Sequence, residues 1–210
     1  MTLIDVNKVK QPKNIIFDLG GVLLAIDVQR TIEAFGRLGM PELIKPGGWG
    51  YGHPVFLEME AGRLSEGQFR DGIRKLLPRP AGDQDIDTAW CAMIIDYFPE
   101  RIDLLRRLSD NFQLYLFSNT NSIHIRHFQQ LFCRRFGHPL SALFVKDYYS
   151  SDIGLRKPAT ESFEYVLNNA GLKASETLFI DDSDANIEGA KKTGMSTIWL
   201  TPGSDLLSFF

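Results

Sequence analysis

Cysteine is scarce in this chain. The 210 residues hold two, Cys91 and Cys133, far apart and at no metal-binding spacing. That excludes a disulfide framework and a thiolate zinc site, and it reads as a pair of free thiols in a reducing compartment. An excess of charge of one sign is also lacking. Lys plus Arg number 23 and Asp plus Glu 26, a net charge of -3. Nothing in that balance draws the chain to nucleic acid or to an anionic membrane. No apolar run approaches the roughly 20 residues that a membrane-spanning helix needs. The N-terminal stretch carries Asp5, Lys8 and Lys10 and no apolar segment of signal-peptide length. These absences lead us to expect a cytoplasmic protein, monomer or homodimer, with neither nucleic acid nor membrane as partner. What is present is an ordinary globular composition, 44% hydrophobic and 23% charged, in a chain long enough to bury a core.

The chain is organised around Asn14-Ile15-Ile16-Phe17-Asp18-Leu19-Gly20-Gly21-Val22-Leu23-Leu24. An apolar, β-branched run that ends in a carboxylate and two glycines predicts a buried strand and a tight turn. In open α/β sheets the residues just past the carboxyl ends of the strands line the binding crevice. Asp18 is therefore expected at the mouth of a cleft, on a turn that Gly20 and Gly21 permit. Taken alone, it reads equally well as a turn cap.

From Asp27 the pattern becomes helical, with Ile32, Phe35 and Leu38 at helical spacing before Gly39. Residues 44 to 54 hold four glycines and two prolines, which predict a loop, punctuated by Trp49, Tyr51 and His53. A helix is expected over residues 55–61. Another opens with Ser65 as N-cap and Gln68 three residues on, a capping box. A third is expected over residues 85–97, with Trp90, Met93 and Ile94 inward. No strand is expected between residues 25 and 96, which read as an inserted helical subdomain.

Beyond Pro99 helices and strands alternate. Ile102, Leu105 and Leu108 mark a helix, and Phe112 to Phe117 a strand that ends in Ser118-Asn119-Thr120-Asn121. Ser122 is expected to cap a helix to about Arg135, and Leu143-Phe144-Val145 to form a short strand. A loop through Ser150 and Gly154 leads to Arg156-Lys157-Pro158, with Pro158 expected in the first turn of a helix. Leu178-Phe179-Ile180 is a strand ending in Asp181-Asp182; a helix over residues 185–193 and a strand over residues 196–200 follow. The tail, Leu206 to Phe210, is apolar enough to dock. Alternation of this kind predicts right-handed crossovers and a mostly parallel sheet. The expected fold is α/β: a Rossmann-like three-layer core, residues 1–24 and 97–210, with an all-helical insertion, residues 25–96.

Four polar clusters fall at equivalent places, past a strand or at the start of a helix: Asp18, Ser118-Asn119, Lys157 and Asp181-Asp182. Parallel strand ends converge on one edge, so these groups are expected to meet. Carboxylates without histidine or cysteine make a hard oxygen site suited to Mg2+ and phosphate oxygens. A hydroxyl with the amides behind it, and a lysine, are anion ligands. A carboxylate beside a metal and a lysine is the set that aspartyl-phosphate chemistry requires, and phosphoryl transfer depends mainly on positioning and charge neutralisation.

The chain resembles the haloacid dehalogenase-like hydrolases, with the helical insertion as their cap. Phe17-Asp18-Leu19-Gly20-Gly21-Val22 is similar to the first family motif. Leu116-Phe117-Ser118-Asn119 is similar to the second, Lys157-Pro158 to the third, and Phe179-Ile180-Asp181-Asp182-Ser183 through Asn186 to the fourth. The resemblance spans the chain and implies roles. Asp18 would be nucleophile and metal ligand, and the Gly20 carbonyl a second ligand. Ser118, Asn119 and Lys157 would hold the phosphate, Lys157 also orienting Asp18. Asp181 and Asp182 would bind or position Mg2+, Asp181 as the more direct ligand.

One position departs from the family's phosphatase pattern. Two residues past the nucleophile, where most of these phosphatases carry an acid/base aspartate, stands Gly20. Such help is worth ~10²–10⁴-fold. Asp27, a residue of the cap, or a good leaving group is expected to make up for it. The rival readings are a 2-haloacid dehalogenase, a sugar-phosphate mutase, or a weakly active phosphate-binding relative. Asp181-Asp182 argues against the first, and Gly20 against the second. The main expectation is a Mg2+-dependent hydrolase of a small phosphorylated metabolite of the sugar-phosphate kind. His124 and His127 are expected on a solvated helix face, and Arg156 to point away from Lys157. Trp49, Tyr51 and His53 are expected to pack within the cap, and Glu60 and Arg63 resemble cap positions that face the core.

Overall fold

The computed structural model describes residues 12–40 and 53–210. In chain order the strands are β1 (Asn14–Phe17), β2 (Leu24–Ile26), β3 (Ile94–Tyr97), β4 (Gln113–Ser118), β5 (Lys146–Tyr149), β6 (Thr177–Asp181) and β7 (Ser196–Trp199). The helices are α1 (Val28–Arg37), α2 (Pro54–Glu60), α3 (Glu66–Arg74), α4 (Asp83–Cys91), α5 (Pro99–Leu108), α6 (Ser122–Phe136), α7 (Ser150–Ile153), α8 (Thr160–Ala170) and α9 (Asp184–Lys191).

Five strands form one parallel sheet in the order β5-β4-β1-β6-β7. Alternation of side chains sorts its two faces. Ile16, Tyr115, Phe117 and Phe179 point to the layer built on α8 and α9, where Phe163, Val166 and Ile187 bury. Ile15, Phe17, Leu116 and Ile180 point the other way, toward Ile102 and Leu105 of α5 and Phe128 and Phe132 of α6. These are the three layers expected. The second face runs without a break into the insertion, whose centre is aromatic. Phe56 lies 4.8 Å from Trp90 and 5.8 Å from Phe69, ring to ring. Insertion and sheet thus share one apolar core.

Residues 25–96 are not strandless. β2 and β3 pair antiparallel, Leu24 with Tyr97 and Ile26 with Ile94, at the two points where the chain leaves and re-enters the core. The helix expected to run to residue 97 stops at Cys91, and the β-branched pair Ile94-Ile95 continues extended. The strand expected at residues 143–145 lies at Lys146–Tyr149 instead. Leu140 to Leu143 form a 3₁₀ turn, and Val145 is 64% exposed. Their apolar character packs a turn, while Tyr148 and Tyr149 supply the alternating faces of the strand.

Cap chemistry follows the sequence closely. Asp27 caps α1, and the Ser65–Gln68 box closes both ways on α3. Asn121, one residue ahead of the expected Ser122, caps α6. Pro158 stands just outside α8, whose first turn begins at Thr160. The tail docks: Leu206 is fully buried in a 3₁₀ turn against α5. Among the described residues no helix is long and apolar enough to cross a membrane. The loop carrying Trp49 and Tyr51 lies outside the described residues.

Candidate active site

Sheet order explains why the four clusters meet. β1 lies between β4 and β6, so Asp18, Ser118 and Asp181 stand at three adjacent strand ends. Asp18 donates its N–H to Ile180 O at 2.9 Å, which holds it in line with β6 beyond the last paired residue of β1. Its carboxyl group is 10% exposed, and Ser118 is buried.

Lys157 reaches this point from the loop before α8. Its Nζ donates to Asp18 Oδ1 at 2.6 Å, to Asp181 Oδ2 at 2.7 Å and to Phe117 O at 2.9 Å. Three donors meet three acceptors, which is what allows an ammonium to be buried. The side chain passes between the rings of Phe117 and Phe179, with Nζ 5.2 and 5.3 Å from their centroids. Burial lowers the lysine's proton affinity, but Asp18 and Asp181 outweigh that and raise it.

Asn119 makes a reciprocal pair with the main chain of Lys157, Nδ2 to O at 2.8 Å and N to Oδ1 at 2.9 Å. Its side chain therefore fixes the lysine segment rather than entering the cleft. Asp181 is also fully engaged, by Lys157, by Ser183 N at 2.8 Å and by Asn186 Nδ2 at 3.0 Å from both oxygens.

Asp182 is different. Its Oδ1 is buried with no hydrogen-bond partner, a state that costs free energy unless something fills it. Oxygens of Asp18, Asp181 and Asp182 lie within 4.8 Å of one another. Burial pushes Asp18 up to about 7, with Lys157 opposing and Asp181 and Asp182 adding to the rise. Burial, then Asp181, pushes Asp182 up to about 6. Crowded carboxylates with an orphaned oxygen fit a hard divalent cation, which would relieve both the repulsion and the missing bond. Asp181 spends both oxygens on Lys157, Ser183 and Asn186, whereas Asp182 keeps Oδ1 without a partner.

The two glycines divide the work. Gly21 has a φ of +75°, and a Cβ there would collide with the Asp182 carboxylate. Gly20 has an ordinary φ, but a Cβ would meet Ile26 Cδ1 at 3.2 Å. A strand of the cap stem thus crowds the position where an aspartate was expected in the pattern.

Several other expectations are revised. His124 is not on a solvated face. It is buried and stacked on Trp90, 4.5 Å ring to ring, with Nε2 3.0 Å from Trp90 O. Burial pushes it down to about 4, so it sits neutral as a packing group. His127 is exposed on α6, as expected, and His53 caps α2. Asp27 is exposed, and its Oδ1 accepts from the N–H of Gln29 as the cap of α1. Arg156 does turn away from the cleft, to Glu60 on the cap. Arg63 pairs with Glu58 at the surface.

Sequence reading missed Arg101. From the first turn of α5 its Nη1 donates to Gly21 O at 3.1 Å and Val22 O at 2.6 Å, with its guanidinium 4.1 Å from the Phe98 ring. It holds the loop that follows Asp18. It missed Trp199 too, whose Nε1 donates to Asp182 O at 3.0 Å. Neither stands beside a motif, so no local signal marks them.

Comparison with known proteins agrees with this geometry. The family model of the haloacid dehalogenase-like hydrolases matches residues 12–194. A D-ribitol-5-phosphate phosphatase of Bacteroides thetaiotaomicron is 31% identical over 193 residues, 92% of this chain and 94% of that protein. A haloacid dehalogenase-like family enzyme from Bacteroides thetaiotaomicron, solved with magnesium, superposes with a TM-score of 0.87 at 35% identity. It covers 96% of this chain and 99% of its own. An aspartate-to-alanine variant of that enzyme, with magnesium and inorganic phosphate, gives 0.84 at 34% identity over 95% and 99%. With its four motifs gathered at one sheet edge and its family model matched over most of its length, this chain belongs to the haloacid dehalogenase-like hydrolases.

Proposed function

We propose that this hydrolase is a Mg2+-dependent phosphatase of small phosphate monoesters, of the sugar or polyol phosphate class, and that Asp18 is its nucleophile. The observation that carries the reading is the buried triangle of Asp18, Lys157 and Asp181 beside the orphaned oxygen of Asp182. The whole-length likeness to a ribitol-phosphate phosphatase supports the substrate class.

The residues divide the reaction as follows. Lys157 holds Asp18 Oδ1 and so orients the second oxygen of that carboxylate toward phosphorus. That oxygen forms a bond to phosphorus as the ester P–O bond breaks, and the leaving alkoxide takes a proton from a water molecule, which is left as hydroxide in solvent. Water then attacks the phosphorus of the aspartyl phosphate, which frees inorganic phosphate and restores the Asp18 carboxylate. Ser118 and the amides after β4 hold the phosphoryl oxygens, and Lys157 balances their charge. Asn119 is a positioning residue through the Lys157 main chain. Asp18, Asp182 and the Gly20 carbonyl would hold Mg2+, with Asp181 and Asn186 behind them, and the ion would supply charge neutralisation between carboxylate and phosphate dianion.

Phosphate release over a panel of pentose, hexose and polyol phosphates, with Mg2+ and with a chelator, tests this. Mg2+-dependent release from polyol or pentose phosphates is expected, with Asp18→Asn inactive. Release that survives the chelator, or an active Asp18→Asn, would overturn the mechanism. Halide release from a 2-haloacid would move the chain to the dehalogenases.

A further inference from the structure

Between the cap and the phosphate-binding segments lies a buried polar junction. Glu60, at the last turn of α2, is 3% exposed. Its Oε2 accepts from Arg156 Nη2 at 2.6 Å and Nε at 3.1 Å. Its main-chain oxygen lies 2.7 Å from the hydroxyl of Ser150, the fully buried first residue of α7. That hydroxyl also accepts from Thr120 N at 2.9 Å and lies 3.0 Å from Thr120 O. A hydroxyl has one hydrogen, so it serves either the cap carbonyl or the core carbonyl. Gly62, two residues on, has a φ of +70° and presses so closely on Ser151 O that no side chain fits.

Both ends of this junction abut the chemistry. Thr120 is two residues past Ser118. Arg156 precedes Lys157, whose main chain is tied by Asn119 to the same loop as Ser118. The junction thus joins three segments that the chain keeps far apart: the cap turn at residues 60–62, the loop at residues 118–121 and the lysine segment at residues 156–157. The pair is shielded from solvent, with the Arg156 side chain 28% exposed and the Glu60 side chain 5% exposed.

We propose that Glu60, Arg156 and Ser150 are positioning residues that couple seating of the cap to the alignment of Ser118 and Lys157. They touch no reacting atom. They make the phosphate site depend on the cap, so that its affinity for phosphate falls when the cap turn is detached. The inference rests on reading Asp18, Ser118 and Lys157 as the phosphate site.

The test uses the full chain with saturating Mg2+. Its probes are p-nitrophenyl phosphate as substrate and inorganic phosphate as competitive inhibitor. Glu60→Gln, Arg156→Met and the double variant are each expected to raise the phosphate inhibition constant and KM about tenfold. The double variant should be no worse than the worse single one, because each breaks the same link. Arg156→Lys, which keeps the charge but loses the fork, should fall between. Ser150→Ala, which breaks the link without touching the ion pair, should weaken phosphate by a similar factor. Thermal midpoints run in parallel separate loss of fold from loss of coupling. Should Glu60→Gln fail to fold, Arg156→Lys and Arg156→Met carry the test from the more exposed side of the pair. Phosphate inhibition and KM within twofold of the parent in folded variants would overturn the proposal, as would additive effects in the double variant. A parent that neither turns over p-nitrophenyl phosphate nor binds phosphate would instead strike the reading of the site.

Discussion

Histidine 124 should make this protein acid-sensitive, and the size of the effect can be worked out. In the folded chain its ring is enclosed between α6 and Trp90, and burial holds it at about 4 against 6.5 for a free imidazole. The folded state therefore resists a proton that the unfolded chain accepts. Above pH 6.5 neither state is protonated and the stability is intact. As pH falls from 6.5 toward 4, only the unfolded chain gains the proton, and stability is lost. At about 1.4 kcal/mol per pH unit, the full loss approaches about 3 kcal/mol near pH 4. That is a large share of the ~5–15 kcal/mol by which a domain is stable. The assay is urea unfolding between pH 4.5 and 8, on the parent and on His124→Phe. Phenylalanine keeps a ring over Trp90 but has no proton to take up. It forfeits the contact with Trp90 O, so at pH 8 it should be the less stable protein by about 1 kcal/mol. The gap should close as pH falls and reverse just below pH 6. Other titrating groups act on both proteins alike, so the difference isolates His124. Parallel pH curves for the two would refute the claim that His124 is buried neutral.

The remaining predictions concern the site. Asp18 and Asp182, held up at about 7 and about 6 without a cation, bind protons more tightly folded than unfolded, so their contribution is present at low pH and lost as pH rises through those values. Mg2+ should therefore raise the melting temperature strongly at pH 8 and hardly at pH 5; equal shifts at both would show that these carboxylates do not hold it. Gly21→Ala should cost about 1–3 kcal/mol for its left-handed backbone alone, and weaken Mg2+ by displacing Asp182, measured by calorimetric titration. Arg101→Met should cost roughly 1.5–3 kcal/mol, from its bonds to Gly21 O and Val22 O. It should also lower kcat; an unchanged kcat would mean that the loop after Asp18 holds itself.

Much of the site was legible because each of its residues sits beside a local signal. Asp18 and Asp181 follow apolar runs that can only be buried strands, Ser118 ends a third, and Lys157 precedes a proline and an amphipathic helix. Parallel topology then requires those ends to lie on one edge, whatever the details of packing. The capping residues Asp27 and Ser65 were legible for the same reason, since a cap is made within four residues of itself. The short strand in residues 143–149 was misplaced by three residues because an apolar triplet can pack a turn as readily as a strand.

What the chain could not disclose along its length is which faces meet. His124 belongs to a helix either way; whether its face is wet depends on α4 crossing it from the insertion. Gly20 was visible as a missing acid, but not that Ile26 crowds the space. The contrast between Asp181 and Asp182 comes from Lys157, Ser183 and Asn186 all converging on one carboxylate. Arg101 reaches its partners from 80 residues away, and Glu60 reaches Arg156 across 96. Periodicity in a sequence records which side chains share a face and which backbone must turn. It does not record the partner of that face, because burial and hydrogen-bond pairing are properties of two surfaces, and tertiary structure alone brings the second one.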